Sequence, residues 1–397
     1  MRPIPAVPMP LSLSDLRAAC RRDAPGRVEL EEAVAHYQGA AKAVATSSGR
    51  AALWLALRAL HRLRPERPRV IAPAWTCPTV GRAIMTTGLE CLCVDVSPED
   101  FALDPERLAR LLDDRTLAVV AAHMFGVPAD VAALRALCDE SGAWLVEDAA
   151  QCVGGRSGDG LVGTTGHLGF LSLGRSKNVR GYEGGVLWIN DPELAGPIAE
   201  EYEQLEPAPA RSGEQLRQAA ITVLSAPGLW RLVRAVPGAG VGREDQDFDP
   251  HPARLADWMA GLGLLSFSRL EEYNRRRRSI AEWIMQELVA VPGLHLQQAR
   301  PGDQTTRLRL GTRLSAERAP ERSRILAALQ RRGIDARAFY TDAMYQYEWF
   351  TTAPDQPTCP RAEELVASNV VLPLYYGLDE AQARAAGRAV VEEVSAQ

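Results

Sequence analysis

Two residues of opposite charge are the best candidates for chemistry in this chain, Lys177 and Asp148. The chain has 45 lysine and arginine residues, of which only Lys42 and Lys177 are lysines. Arginine keeps its proton near neutral pH, whereas a desolvated lysine amine can act as a nucleophile. Lys177 lies between an apolar run, 168–173, and the pair Gly184-Gly185, and Asp148 precedes it in an acidic segment. We therefore expect an amine that attacks a carbonyl group and a carboxylate that tunes a bound cofactor.

A helix start at Ser48-Gly49-Arg50-Ala51 supplies the features of a phosphate site. Helix N-termini present unpaired N–H groups and a positive dipole end. Gly49 lets the backbone approach an anion closely, Arg50 adds a charge, and Ser172 offers a hydroxyl. Asp148 would keep a ring nitrogen protonated, which makes the ring an electron sink. Together these residues indicate a cofactor that has a phosphate and a protonatable ring nitrogen.

Short apolar strands alternate with helices through the first half of the chain. This pattern predicts an α/β fold of three layers, with a mostly parallel sheet covered by helices on both faces. Ligands of such sheets bind at the carboxyl ends of the strands, where Asp148 and Lys177 are expected. The predicted strands are 69–72, 89–96, 119–122, 143–147, 168–173 and 186–190, with helices from residues 51 and 78 and over 128–141.

The sequence predicts two domains. Residues 1–254 form an N-terminal arm and a large cofactor-binding domain, with an atypical apolar insert at about 207–245, and residues 255–397 form a smaller α/β domain. A long helical region, 255–288, contains four successive arginines at 275–278. We interpret this basic run as a solvated helix face rather than as a nucleic-acid site.

Composition limits the class of protein. A net charge of -5 gives no field that would attract nucleic acid, and seven cysteines without C-x-x-C spacing suggest buried thiols in a reducing cytoplasm. Cys91-x-Cys93 alternates on a predicted strand, so we expect no metal site. The N-terminus lacks the apolar region of a signal peptide, and 219–230 is shorter than the roughly 20 residues that span a bilayer. We expect a cytoplasmic protein, although weak surface association of 219–240 stays open.

Several short motifs follow one another in a characteristic order: 48–53, 71–76, 123–126, 147–151, 176–178, 183–185, 333–337 and 372–374. Through these motifs the chain resembles the DegT/StrS-type aminotransferases, a branch of the fold type I pyridoxal 5'-phosphate enzymes. The resemblance covers residues 25–190 and 255–390. It implies a cofactor, pyridoxal phosphate, and a homodimer.

The resemblance also implies roles for single residues. Lys177 matches the Schiff-base lysine, Asp148 the carboxylate on the pyridine nitrogen, Gln151 the residue near the ring hydroxyl, Ser172 the phosphate-binding serine, and Arg50 and Ala51 the phosphate-binding helix start. Cys77 stands where many members place an aromatic ring over the pyridine, so either Trp75 takes that role or the ring is less clamped. Nothing between 191 and 255 matches the family segment from which an asparagine reaches the partner subunit's phosphate.

The sequence thus predicts a pyridoxal phosphate-dependent aminotransferase with two small-molecule substrates. By resemblance the amino donor is glutamate and the acceptor is a keto sugar or related ketone of an envelope or natural-product pathway. Tyr340, in an aromatic cluster, is a candidate substrate contact. Two alternatives stay open: a pyridoxal phosphate enzyme of another reaction type, such as a lyase or a carbon–carbon bond-forming enzyme, and a non-catalytic binding or regulatory protein.

Overall fold

The computed structural model describes residues 12–21, 23–208, 213 and 249–396. The predicted insert at 207–245, including the apolar stretch 219–240, therefore falls almost wholly outside the described residues. Within the described residues, no helix combines the length and apolar character that crossing a bilayer requires.

A seven-stranded sheet forms the centre of the protein. Its strands stand in the order β1-β9-β8-β5-β4-β2-β3, and β9 alone runs antiparallel to its neighbours. A two-stranded hairpin, β6 with β7, lies outside it. The strands are β1 (Lys42–Thr46), β2 (Arg69–Pro73), β3 (Glu90–Val94), β4 (Thr116–Ala122), β5 (Trp144–Asp148), β6 (Arg156–Ser157), β7 (Gly160–Leu161), β8 (Leu168–Ser172) and β9 (Gly185–Ile189). The predicted α/β class and mostly parallel sheet are confirmed.

Helices cover both faces of this sheet. They are α1 (Leu13–Ala19), α2 (Arg27–Gln38), α3 (Gly49–Leu63), α4 (Pro78–Met85), α5 (Pro105–Ala109), α6 (Val131–Ser141) and α7 (Ala195–Glu203). Helix α3 begins where the Ser48 hydroxyl accepts the Ala51 N–H at 3.1 Å, which satisfies one of the free donors of the first turn. Its apolar face, including Leu53 and Leu57, is fully buried. Burial of each such side chain contributes about 1.5–3 kcal/mol, so α3 holds its N-terminus rigidly beside the sheet.

The C-terminal part contains a second, antiparallel sheet in the order β10-β11-β12. Its elements are α8 (Asp257–Phe267), α9 (Leu270–Leu288), β10 (Leu294–Leu296), β11 (Arg309–Leu314), α10 (Arg322–Arg331), α11 (Pro360–Ser368), β12 (Asn369–Pro373) and α12 (Glu380–Ser395). Ile284 of α9, Leu310 of β11 and Leu329 of α10 share one buried apolar core. The predicted division of the chain at 254 and 255 into two domains stays a prediction.

The long helical region and its basic run differ from the sequence prediction. The region is two helices, because α8 ends before Ser268 and α9 begins after Arg269. The interpretation of 275–278 as a solvated face is wrong for Arg277, which is fully buried, whereas Arg275 is exposed. Successive residues of a helix point about 100° apart, so four arginines in a row cannot all face water.

Candidate active site

Asp148 ends β5 at the carboxyl edge of the sheet, as the sequence predicted. Its side chain is 9% exposed, and Oδ1 accepts the Ala150 N–H at 2.9 Å. Burial raises the pKa of this carboxyl, and the positive charge of Lys177 opposes that rise. Strand β8, which the Lys177 turn follows, is the parallel neighbour of β5, so the structure brings the predicted amine and the predicted carboxylate to the same edge of the sheet.

Lys177 stands on the turn that follows β8. The turn is closed by the Lys177 N–H, which donates to the Gly174 carbonyl at 3.0 Å, and by the Gly181 N–H, which donates to Leu173 at 2.8 Å. The lysine is half-buried, whereas the next residue, Asn178, is fully buried. The amine is thus carried by a backbone that is fixed on both sides.

His123 and Glu147 form a buried, hydrogen-bonded pair next to Asp148. The His123 N–H donates to the Asp148 carbonyl at 3.2 Å, and His123 Nδ1 accepts the Ala129 N–H at 3.0 Å. Nε2 therefore carries the proton and donates to Glu147 Oε2 at 3.1 Å. Glu147 also accepts the N–H groups of Gly163 and Gly166. His123 supports the end of β5 from the layer below the site.

Gln151 offers an unsatisfied acceptor to the site. Its Nε2 donates to the Tyr340 hydroxyl at 3.3 Å, while its buried Oε1 has no partner among the described residues. A buried amide oxygen without a donor is costly, so a ligand with a hydroxyl group would complete it. The main-chain oxygen of Gln151 accepts the Thr306 hydroxyl at 3.3 Å, a contact that no sequence motif signals.

The N-terminus of α3 and the end of β8 form a close cradle. A Cβ on Gly49 would lie 2.9 Å from Ser172 Cβ, and a Cβ on Gly185 would lie 2.5 Å from the Ser48 backbone. Ser172 Oγ accepts the Gly174 N–H at 3.2 Å, so its own proton can be donated. The bare backbone, the helix dipole and a hydroxyl donor suit a bound phosphate. Arg50, one residue into the helix, is half-buried and Ala51 is fully buried.

The aromatic positions differ in accessibility. Trp75 is fully buried and meets Phe125 and Tyr340 edge-on, with ring centroids 5.7 and 5.6 Å apart. Cys77, at the start of α4, is half-buried. Tyr340 has a φ of 52°, a left-handed conformation that costs a non-glycine residue about 1–2 kcal/mol. Strain of this kind concentrates at functional sites. The roles of Trp75, Cys77 and Tyr340 towards ligands stay predictions.

The residues present fit pyridoxal phosphate. The narrow cradle at Gly49 and Ser172 suits its phosphate, and the free Gln151 Oε1 suits its ring hydroxyl. Asp148 supplies a carboxylate and Lys177 an amine in the same site.

Comparison with known proteins decides the family. Residues 21–391 match the model of the DegT/DnrJ/EryC1/StrS aminotransferase family. The chain belongs to this family. The aminotransferase is 28% identical over 354 residues, 89% of this chain and 84% of the relative, to the UDP-N-acetyl-3-dehydro-alpha-D-glucosamine 3-aminotransferase of Acidithiobacillus ferrooxidans. It is 27% identical over 343 residues, 86% of this chain and 80% of the relative, to the dTDP-3-amino-3,4,6-trideoxy-alpha-D-glucose transaminase of Streptomyces venezuelae.

Solved structures confirm the fold of the aminotransferase. Helicobacter pylori PseC superposes with a TM-score of 0.80 at 17% identity, covering 98% of this chain and 99% of that chain. DesV of S. venezuelae superposes with a TM-score of 0.76 at 25% identity, covering 97% and 94%. The fold is the fold type I architecture of pyridoxal phosphate transferases, and the resemblance seen in the motifs is confirmed.

Proposed function

We propose that this aminotransferase binds pyridoxal 5'-phosphate through Lys177 and moves an amino group from glutamate to a keto sugar carried on a nucleotide. The observation that carries the proposal is the placement of Asp148 at the end of β5 and of Lys177 on the turn that follows the neighbouring parallel strand β8, at the same edge of the sheet. Family membership favours amino transfer over the two alternatives that the sequence left open.

The residues of this chain have distinct tasks in the proposed reaction. Ser172 and the N–H groups at the start of α3 bind the phosphate. Asp148, ionised beside a cationic ring nitrogen, keeps the proton on that nitrogen. When bound, the cofactor supplies an electron sink for the negative charge that develops on the donor carbon. The Lys177 amine, which would hold the cofactor, would also serve as the base that takes the proton from that carbon.

The acceptor class rests on the relatives. Both relatives named above are aminotransferases of nucleotide-linked sugars, and the match covers 84% and 80% of their lengths. The keto sugar as acceptor and glutamate as donor are proposals from the family resemblance. We also propose that two copies of the chain form a homodimer, again from that resemblance.

One experiment tests the cofactor and the amino transfer together. Borohydride treatment of the purified protein should fix the cofactor covalently on the peptide that contains Lys177, as read by mass spectrometry. Lys177→Ala should abolish the adduct and turnover, whereas Lys42→Ala, which changes the other lysine of the chain, should keep both. In a separate sample that has not been reduced, glutamate should change the visible spectrum, and a keto-sugar nucleotide should reverse that change. A protein that holds the cofactor on Lys177 but responds to no amino donor would reject the proposed transfer.

A further inference from the structure

Arg277 is a buried cation to which the proposed reaction assigns no task. It lies on α9 with a fully buried side chain, and none of the ion pairs among the described residues includes it. Burial lowers its pKa to about 9, and the neighbouring charge of Arg278 adds to this effect. A desolvated guanidinium without a carboxylate is unfavourable for folding.

The contacts of Arg277 lead to the active site. Nη2 donates to Oδ1 of Asn274, one turn earlier on α9, and lies 3.2 Å from the side-chain oxygen of Asn178. Asn274 in turn donates from Nδ2 to the Val153 carbonyl at 3.0 Å. One face of α9 thereby holds two separate segments, the one that follows β5 and the one that follows β8.

Asn178 is the direct neighbour of Lys177 and is fully buried. In one of the two orientations of its side-chain amide, both the nitrogen and the oxygen have hydrogen-bond partners. In that orientation the nitrogen donates to the Gln151 carbonyl at 2.8 Å and the oxygen accepts from Arg277 Nη2 at 3.2 Å. The Thr306 hydroxyl lies 3.1 Å from the same oxygen and gives its one proton either to it or to the Gln151 carbonyl. The side chain of Asn178 thus joins the lysine turn to the segment that carries Gln151.

We propose that Arg277 is a positioning residue that acts through Asn178 to hold the Lys177 turn in register with the Asp148–Gln151 segment. The planar guanidinium offers donors to two amide oxygens at once, which a neutral side chain of similar length does not. These oxygens belong to residues on different elements, Asn178 and Asn274. The proposal rests on the proposed function for its kinetic consequence, since it assumes that the Lys177 amine does the chemistry.

The two-lysine composition allows a test that needs neither cofactor nor turnover. In the cofactor-free full-length chain, a lysine-selective acylating reagent labels Lys42 and Lys177, and peptide mass spectrometry separates their rates. Arg277→Met should speed labelling of Lys177 by about fivefold or more, because a turn that has lost its anchoring hydrogen bonds opens more often. Labelling of exposed Lys42 should not change. Arg275→Met, on the same helix but at an exposed position, is the matched control and should leave both rates as they are.

A double-mutant cycle shows whether Arg277 acts through Asn178. Arg277→Met and Asn178→Ala should each slow the first half-reaction with glutamate about tenfold or more with little change in KM, and the double variant should be no slower than the worse single one. Arg277→Lys, which keeps the charge but has one donor group, should restore only part of the rate. If Arg277→Met fails to fold, Asn178→Ala and Arg277→Lys carry the same comparison.

Two results would overturn the inference. One is unchanged Lys177 labelling in Arg277→Met, and the other is additive losses in the cycle. The positioning role alone is rejected if Lys177 of the wild-type protein takes up the cofactor and Arg277→Met has the same labelling and half-reaction rates as the wild-type protein. Wild-type protein that forms no adduct at Lys177 would instead reject the proposed function.

Discussion

His123 and Glu147 form a fully buried pair whose Nε2 and Oε2 atoms lie 3.1 Å apart directly beneath the end of β5. Because Ala129 donates to Nδ1, this pair has a fixed direction, with the imidazole as donor. The His123 main chain also donates to the Asp148 carbonyl. The pair therefore fixes the strand end that presents Asp148.

Removal of the Glu147 carboxylate should strongly destabilise the protein. Glu147→Ala leaves the His123 imidazole and the N–H groups of Gly163 and Gly166 buried without their acceptor. We expect the free energy of unfolding to fall by about 3–5 kcal/mol, measured by urea denaturation of the cofactor-free protein. Glu140→Ala on the exposed side of α6 should change it by less than about 0.5 kcal/mol. Equal urea-denaturation midpoints for Glu147→Ala and Glu140→Ala would contradict this account.

Asp148 should show a conflict between stability and function. In the cofactor-free protein, burial raises the pKa of its carboxyl above the value of 3.8 that an exposed group has. The folded state then binds the proton more tightly than the unfolded state, so this contribution to stability is present at low pH and is lost as the pH rises through the folded pKa.

Asp148→Asn removes the loss of folding stability that ionisation of the buried carboxyl causes at neutral pH. We expect the variant to melt at or above the temperature of the wild-type protein at neutral pH, and the difference to shrink as the pH falls below the raised pKa. Turnover should nevertheless drop on the order of 10²-fold or more, because a neutral amide does not hold the ring proton. A variant that melts lower at neutral pH, or one that keeps its turnover, would count against the assigned environment of Asp148.

The cradle predicts a specific effect on cofactor affinity. Ser172→Ala removes a hydroxyl donor to a charged phosphate, a contact worth about 1.5–3 kcal/mol, so the Kd for pyridoxal phosphate should rise roughly 10- to 150-fold. Gly49→Ala should weaken binding as well, because its Cβ would lie 2.9 Å from Ser172 Cβ. Fluorescence titration of the cofactor-free protein measures both. Ser141→Ala, on α6, should bind as the wild-type protein does, and unchanged affinity of Ser172→Ala would place the phosphate elsewhere.

Tyr340 can be tested apart from the amino donor. Its hydroxyl accepts from Gln151 at 3.3 Å, and Tyr340→Phe removes only this group. If Tyr340 contacts the acceptor, the variant should raise the KM for the keto sugar several-fold, a loss of about 1 kcal/mol, while the half-reaction with glutamate keeps its rate. Stopped-flow spectra separate the two half-reactions. Slowing of the glutamate step alone would instead assign Tyr340 to the cofactor through Gln151.

The sequence predicted most of the strands and helices around the candidate site because their signals are local. Apolar runs bounded by turns predicted the strands that end at Asp148 and Ser172, and the Ser48-Gly49 pair predicted the helix start that forms the cradle. The scarcity of lysine, together with the motifs around it, indicated Lys177 as the candidate nucleophile. Each of these inferences uses neighbours along the chain, and the structure places all of these residues at one edge of one sheet.

Other features depend on contacts between distant segments, which a local pattern does not encode. Three examples are the antiparallel direction of β9, the burial of Trp75 and the hydrogen bond between Gln151 and Tyr340. Each depends on residues that are far apart in the sequence. The basic run on α9 shows the physical reason most clearly. Four identical side chains give one composition signal, but the rotation of the helix and the packing of other elements against it expose Arg275 and bury Arg277 beside the lysine turn. The sequence by itself determined the candidate residues for the chemistry, because their types and local motifs stand out along the chain, whereas only the tertiary structure decided which distant residues pack against them.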